Sequence, residues 1–529
     1  MAVVSASRRG AVVFAASVAL LALLAPSAMA KASGSVMSVA AAPNGAQRIT
    51  YKIGPFDVVP GQNNIQYAGI GNKPKVDGWI TRMKPDLIYT NGTVPRVDVI
   101  HLHHGVWLNM SRHDVTSPGL PERFFAAGEE KTIFQLPKGY AYDYKASDGW
   151  LLNYMIHNLT PVAAKVYMTM TIDFIPKTSP AAKGLKAARP IWMDVRNGQI
   201  YPVFNVKKGS GKKGLYTYPQ DDPNAYSNGN QQNQWTVDQD GTLIATAGHL
   251  HPGGLHTDLW LKRNGARVAK PACASKRSAK ARKRCKARAP RGYGSNVHLF
   301  QSKAKYFEPA GAVSWDVAMT GTRRDWRVQV HKGDKLWTSA TYGTKRGSWW
   351  ESMGIMVVWM ADGQKGNDPY RTRVDYAGKP THGHLYENRN HGGGKGSLPD
   401  ARKLPDGPAV GGGNIDIVDF KYAVGDLSLA GAAKDPPVIP RGQSVTFTNL
   451  EAGKELYHSI TSCKAPCTGK TGIAYPLADG KVSFESNTLG TQIPAAGATT
   501  WRTPPNLKPG TYTYFCRIHP FMRGAFRVK

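Results

Sequence analysis

The sequence predicts an all-β protein built of several sandwich-like domains, and three observations carry that reading. Many short segments alternate apolar and polar residues, such as VDVI at 97–100, KVYMTMTIDF at 165–174 and AVSWDVA at 312–318; a period of two is the mark of a half-buried strand. The 56 Gly and 36 Pro residues break the chain between such segments, which favours strands and turns over helix bundles. At about 150 residues per domain, 529 residues make roughly three domains. A composition that is 41% apolar and 10% aromatic is far too hydrophobic for a solvated polymer.

Residues 1–30 place Arg8 and Arg9 before an apolar run at 11–24 and a small-residue Ala28-Met29-Ala30 end. That order is a secretory signal peptide, with an apolar run too short to cross a bilayer. No later segment is long and apolar enough to span a membrane. Ser7-Arg8-Arg9 leaves general secretion and twin-arginine export both open. The mature chain is expected to begin near Lys31 and to work outside the cytoplasm, secreted or at the cell surface or in a periplasm.

The net charge is +32, to which residues 1–30 add only two. Residues 262–291 carry 13 Lys or Arg and no acid. They read as a solvated loop between strands, either a solubilising insertion or a contact with anionic wall polymer or lipid headgroups. Export, and the lack of a recognised nucleic-acid module, argue against nucleic acid as the partner.

Spacing pairs Cys273 with Cys285 and Cys463 with Cys467, and leaves Cys516 single. Cys516 stands in YTYFCRIHPFM at 512–522, three residues before His519 and six before Met522. Thiolate, imidazole and thioether are the soft ligands of a blue-copper electron-transfer site. The second imidazole such a site needs is His458, in LYHSI at 456–460. Upstream, IPRGQSVTFTN at 439–449 alternates as a strand, and Pro509-Gly510 turns the chain into the strand ending at Cys516. A free cysteine beside a structural histidine and a core methionine is the competing account, and four ligand types in order oppose it.

Residues 413–529 thus resemble the cupredoxin family, with the plastocyanin-like order His, then Cys-x-x-His-x-x-Met. The resemblance implies a seven- or eight-stranded Greek-key barrel. It would hold one type 1 copper between His458, Cys516, His519 and a weak axial Met522, for one-electron transfer with no open position for substrate. A dinuclear copper site would need two cysteines on the ligand loop, and no His follows Cys463 and Cys467.

Residues 391–412 are Gly- and Pro-rich with almost nothing to bury, and read as a linker. The residues before it are too many for one sandwich, so two are expected, over 31–200 and 201–390. Their histidines are grouped: HLHH at 101–104, His157 ending WLLNYMIH, and His249 and His251 in ATAGHLHPGG at 245–254. Residues i and i+2 on a strand share a face, so His249 and His251 can hold one metal ion. Met353, in WWESMGIMVVW at 349–359, is a candidate further ligand.

That order, with Met353 after an acidic-Ser pair, resembles the copper type II monooxygenases, the family of peptidylglycine α-hydroxylating and dopamine β-monooxygenases. The resemblance implies two nine-stranded jelly-roll domains, each with one copper, facing each other across a solvent-filled gap. By motif, His103, His104 and His157 match the electron-transfer copper. His249, His251 and Met353 match the oxygen-binding, catalytic copper. His101 can replace His103, since both point the same way on a strand. His256 reads as a partner that orients a ligand imidazole. His382, His384 and His391 read as a solvated turn, with accessory copper binding as the second reading.

Where the peptide-hydroxylating members carry the Arg and Asn that hold the substrate carboxylate, this chain has Ala247 and Ile355; Val357 replaces their Tyr. Most of that family's disulfides are also missing, so a peptide with C-terminal glycine is not the expected substrate. The expected function is a secreted copper-dependent monooxygenase with one type 1 copper and two further coppers. Its electrons would come through the fused cupredoxin from a small reductant such as ascorbate or from a redox protein. The alternative is a non-enzymatic copper-binding or electron-transfer protein. An oxidase or nitrite reductase is opposed by the absence of the multicopper-oxidase His-Cys-His element.

Overall fold

The computed structural model describes residues 31–529 except 33, 98, 200, 227–228, 230, 308–314, 346, 382–398, 411–412, 429–432, 467–482, 487, 492–496 and 520. The expected signal peptide, His382, His384 and His391, and Cys467 lie outside the described residues. Strand makes up 47% of the structure and helix 5%, so the protein is all-β.

The first unit packs two sheets face to face. One is five-stranded, in the order Lys31–Ala32, Gln66–Ile70, Trp150–Asn158, Ile100–His113, Pro121–Ala127. The other runs Lys186–Ala187, Tyr140–Tyr144, Gly78–Tyr89, Ala164–Pro176, Gln47–Val58, Gly34–Ala41, with Phe134–Gln135 paired to Gly78–Tyr89. Alternation sets the core between them: Trp150, Leu152, Tyr154 and Ile156 point inward with Met168, Met170 and Ile172 of the facing sheet. Yet Trp150–Asn158 is buried at every position. A strand buried on both faces needs cover on its outer side too, and the rest of the molecule supplies it.

Register at this strand decides where the histidines point. His101 lies opposite His157 and Leu102 opposite Ile156, but His104 lies opposite Met155. His103 is therefore the extra residue of a β-bulge, which shifts the alternation of every side chain after it. Ile100, Leu102 and Trp107 face the core, while His104, Val106 and Leu108 face outward.

The chain passes to the second set of sheets between Ala187 and Arg189, because Arg189–Asp194 already pairs with Ile355–Asp362. This set is a twelve-stranded, barrel-like sheet, its path running through Ile355–Asp362, Gly241–His249, Val317–Gly321, Asn296–Tyr306, Gly254–Lys262 and Lys335–Gly343. A two-stranded sheet, Phe204–Val206 with Trp349–Ser352, accompanies it.

The basic insert departs from the expected loop. Cys273 and Cys285 are bonded as the spacing predicts, but residues Ala279–Arg288 form an α-helix whose N-cap Ser278 accepts from Ala281 N. Ala, Lys and Arg are strong helix formers, and Lys286 and Arg288 suit the C-terminal end of the dipole. No residue of this helix is buried.

The stretch read as a linker is also more than a linker. Ala401 is fully buried against Leu427 and Ala525, and Arg527 Nη2 donates to the Ala401 carbonyl at 2.7 Å. Residues 399–410 strap the third unit.

That unit has two four-stranded sheets. One is Lys421–Tyr422, Asn414–Val418, Thr446–Asn449, Thr500–Arg502; the other is Val438–Ile439, Arg523–Val528, Gly510–Phe515, Thr461–Cys463. Cys463 is disulfide-bonded. Among the described residues no helix is long and apolar enough to cross a membrane.

Beside the basic insert, buried His298 lies between two carboxylates, with Nε2 at 2.8 Å from Asp258 and Nδ1 at 3.1 Å from Asp375. Burial opposes its charge, but the bonds to Asp258 and Asp375 outweigh that and hold its pKa above the ordinary value. Burial also raises Asp258, and the bonds from His256 and His298 more than reverse it. The imidazolium contribution is thus complete below the unfolded His pKa of about 6.5 and lost as pH rises through the higher folded value. The Asp258 contribution is present above about 3.8 and lost as pH falls through its depressed value. His298→Ala should therefore cost about 3–5 kcal/mol at pH 5.5, as removal of one partner from a buried pair does. The loss should be clearly smaller at pH 9; equal losses at the two pH values, in denaturant melts, would contradict the assignment.

Candidate metal centre

The C-terminal unit gathers three of its four predicted ligands into a preassembled group. The donor atoms of His458, Cys516 and His519 all lie within 4.8 Å of one another, and all three residues are buried. Cys516 Sγ is 4.0 Å from His458 Nδ1 and 3.9 Å from His519 Nδ1, and the two nitrogens are 3.3 Å apart. Metal–ligand bonds of about 2.0 Å to nitrogen and about 2.3 Å to sulfur require separations of this size. Met522 is fully buried in the same core.

Each imidazole is oriented from its far side. His458 Nε2 is 3.1 Å from Glu451 Oε2, and His519 Nε2 donates to the Gly61 carbonyl at 3.0 Å. Both Nδ1 atoms are left facing the sulfur, which also receives the backbone N–H groups of Ser459 and His519 at 3.4 Å. Burial raises the Cys516 thiol, but bonds from His458 and His519 reverse this and hold it well below its ordinary pKa, as a thiolate ligand requires. The donor set fits copper, the metal that thiolate plus two imidazoles with a nearby thioether selects.

The His519 edge is not open to solvent but rests on the first sandwich. Gly61 has φ +63, and a Cβ there would stand 2.0 Å from the Phe420 ring and 3.0 Å from His519 Nε2. Only glycine allows this approach. The His519 ring lies 6.1 Å from the His157 ring.

The sandwich histidines assemble differently from the two separated sets the motifs imply. His101 and His157 meet at 4.8 Å as a cross-strand pair, with His103 at 6.2 Å from His157. His104 has Nδ1 at 3.4 Å from His103 Nδ1 and Nε2 at 3.0 Å from Asn153 Oδ1. The strand Gly241–His249 ends at His249, and His251 sits in the following turn. The rings of His249 and His251 are 5.1 Å apart and nearly perpendicular. His251 packs on His103 at 4.5 Å, so the solvent-filled gap expected between the two sandwiches is closed at this point. His249 and Met353 instead line a cavity with His104. His256 pairs with Asp258 at 2.7 Å and belongs to the His298 network.

Three of these imidazoles share one arrangement. Nδ1 of His101 donates to the Val97 carbonyl at 3.2 Å, that of His249 to Glu130 at 3.1 Å, and that of His251 to the Glu351 carbonyl. In each, Nε2 is buried and has no partner. Anchored Nδ1 with a free Nε2 is the pattern of ligating histidine, and orphaned buried nitrogens are otherwise costly. Burial depresses His101 to about 3 and His104 to about 4, and puts His103, His157 and His251 well below the ordinary value. All five are neutral at pH 7, as ligation requires. Among the described residues, however, the C-terminal triad is the one group of three or more His, Cys, Asp or Glu donors drawn within 4.8 Å.

Sequence reading missed four residues here. Trp315 stacks on His101 at 4.7 Å and packs tilted against His103 at 4.5 Å and His251 at 4.8 Å. Glu130 holds His249. Glu351, with φ +57, accepts from Tyr201 Oη at 2.9 Å and lies 3.8 Å from His103 Nε2; burial lifts its carboxyl to about 7. Glu451 holds His458. The acidic residue two before Met353 was the only one with a sequence signal.

Two four-stranded sheets around a buried His–Cys–His group make residues 414–528 a cupredoxin-like element on an otherwise sandwich-built chain. No protein-family model and no curated protein matches the chain. Among solved structures, two Cu(I) amicyanins, each with one methionine replaced by alanine, are 22% identical. Each alignment covers 25% of this chain and 92% of the amicyanin, at a TM-score of 0.14. A reduced amicyanin with a proline-to-phenylalanine change is 23% identical, with the same coverage and a TM-score of 0.13. The reading of the centre rests on its own geometry.

Glu451→Ala should weaken copper binding about 10–100-fold, the usual effect of losing a partner that orients a ligand, while the blue colour of loaded protein persists. Chelator competition measures this; unchanged affinity would show that Glu451 does not set the His458 orientation.

Proposed function

We propose that the protein is an extracytoplasmic copper-dependent redox protein, an oxygen-dependent monooxygenase whose C-terminal unit brings in electrons one at a time. The observation that carries this reading is the contact of His519, a member of the C-terminal triad, with His157 of the sandwich. From His157 the rings continue without a break through His101, Trp315 and His251 to His249, at centroid separations of 4.8, 4.7, 4.8 and 5.1 Å. Copper held by His458, Cys516, His519 and Met522 supplies a one-electron couple when bound. We assign His249, His251 and Met353 to one further copper, and His157 and His104 with His103 or His101 to the other.

The reaction balances as one oxygen atom of O2 entering a substrate C–H bond and the other leaving as water. It consumes two electrons and two protons. The electrons come from an external donor, a small reductant or a redox protein. Burial keeps His101, His103, His104, His157 and His251 neutral, and the Val97, Glu130 and Glu351 oxygens orient His101, His249 and His251.

The second reading, a non-enzymatic copper-binding or electron-transfer protein, draws support from the closed contact of His103 with His251. Copper stoichiometry with EPR separates the two: three coppers, one of them blue, are expected, and a single blue copper would sink the monooxygenase reading. Cys516→Ser should erase the blue signal and leave any other copper in place. Met353→Ala should abolish reductant-driven oxygen uptake, at least 100-fold down, with the blue site intact; an unchanged rate would remove Met353 from the chemistry.

A further inference from the structure

A cavity of about 90 Å³ lies where the two sandwiches meet. The bulge at His103 turns Val106 and Leu108 toward it, Leu151 reaches it from the outer face of the neighbouring strand, and Trp192 and Ile355 close it from the second sandwich. Nothing in the established packing requires an unfilled space here, since interiors normally leave few voids larger than a water. His104, His249 and Met353 form one edge.

We propose that this cavity is the substrate site and that it takes a small, uncharged, apolar molecule no larger than one aromatic ring. The proposal rests on the monooxygenase reading above and adds to it the class of substrate. Size comes first: at about 90 Å³ the cavity is smaller than the apolar cavity of about 150 Å³ that holds benzene, so a single small ring is the upper limit of what it admits, a short hydrocarbon fits within it, and a peptide is excluded. Charge comes next. The one cationic side chain among the described lining residues is Arg123, and it is already committed. Its Nε donates to Asp114 at 2.8 Å, its Nη2 to Asn197 at 2.9 Å, and its guanidinium lies 4.7 Å from the Trp192 ring centroid. An anionic substrate would enter with no counter-charge. A cationic one would fare no better, because the Glu130 carboxylate is bonded to the far nitrogen of His249 and does not line the cavity. Burying an unpaired charge costs several kcal/mol. Orientation is the last requirement, and the reacting edge supplies it: His249 presents an unpartnered Nε2, and Ile355 and Trp192 hold an apolar ring beside it.

The test is binding of toluene, benzoate and benzylammonium to the full chain by calorimetry, with and without copper. Saturable 1:1 toluene binding is expected in both forms, with benzoate and benzylammonium at least 10-fold weaker. Ala126→Phe fills the cavity and should weaken toluene at least 10-fold. Leu151→Ala enlarges it and should admit naphthalene, which the unaltered protein rejects; this gain cannot come from misfolding. Benzoate binding as tightly as toluene, or toluene binding unchanged in Ala126→Phe, would overturn the proposal. Toluene binding without hydroxylated product from copper-loaded protein, reductant and oxygen would instead overturn the monooxygenase reading and leave the apolar site standing.

Discussion

The pairing of Ile100–His113 with Trp150–Asn158, out of step by one residue at His103, is the constraint on which the other arrangements depend. In an unbroken strand His101 and His103 would share a face and His104 would turn into the core. The bulge lets all three leave the core, and it returns Trp107 to the inside. It also makes the outer face of the five-stranded sheet apolar in one half, at Val106, Leu108 and Leu151, and imidazole-rich in the other. Such a face cannot be left in water. The second sandwich covers the apolar half with Trp192, Tyr201 and Met353, and both later units cover the imidazoles.

Collecting neutral imidazoles in a dry interface has a definite electrostatic consequence. Desolvation is the leading cause of the depressed pKa values of His101, His103, His104, His157 and His251, so their lone pairs are available at neutral pH. The oxygens of Val97, Glu130 and Glu351 then decide which nitrogen carries the proton. Glu351 serves twice, through its carbonyl toward His251 and its side chain toward Tyr201. A non-glycine residue at φ +57 is held there by its surroundings.

The C-terminal unit is joined to this interface by its ligand edge. His519 has one nitrogen toward Cys516 and the other on the Gly61 carbonyl, so a single ring both completes the metal group and contacts the sandwich. Asn64 Nδ2 bonds Glu455 at 2.6 Å nearby, and Arg517 lies over Trp349 of the second sandwich. The unit is therefore oriented by both sandwiches, with the strap of residues 399–410 bound along its side.

What the sequence determined alone was local in kind. Period-two alternation settled the all-β class, and Cys516, His519 and Met522 declared themselves because three candidate ligands fall within seven residues of one loop, with His458 at an isolated bridge to Leu489. The Cys273–Cys285 bridge followed from spacing, whereas the helix beside it was legible in AKARKRCKAR but masked by the weight of its charge. The sandwich histidines were visible as residues, but their grouping was not. Whether His103 faces His157 or His251 depends on a one-residue bulge and on contacts between residues more than a hundred positions apart. Trp315, Glu130 and the Gly61–His519 contact have no periodicity to announce them. Tertiary structure alone decided these, because burial, ring packing and the orphaned Nε2 atoms arise only when faces of three units close on one another.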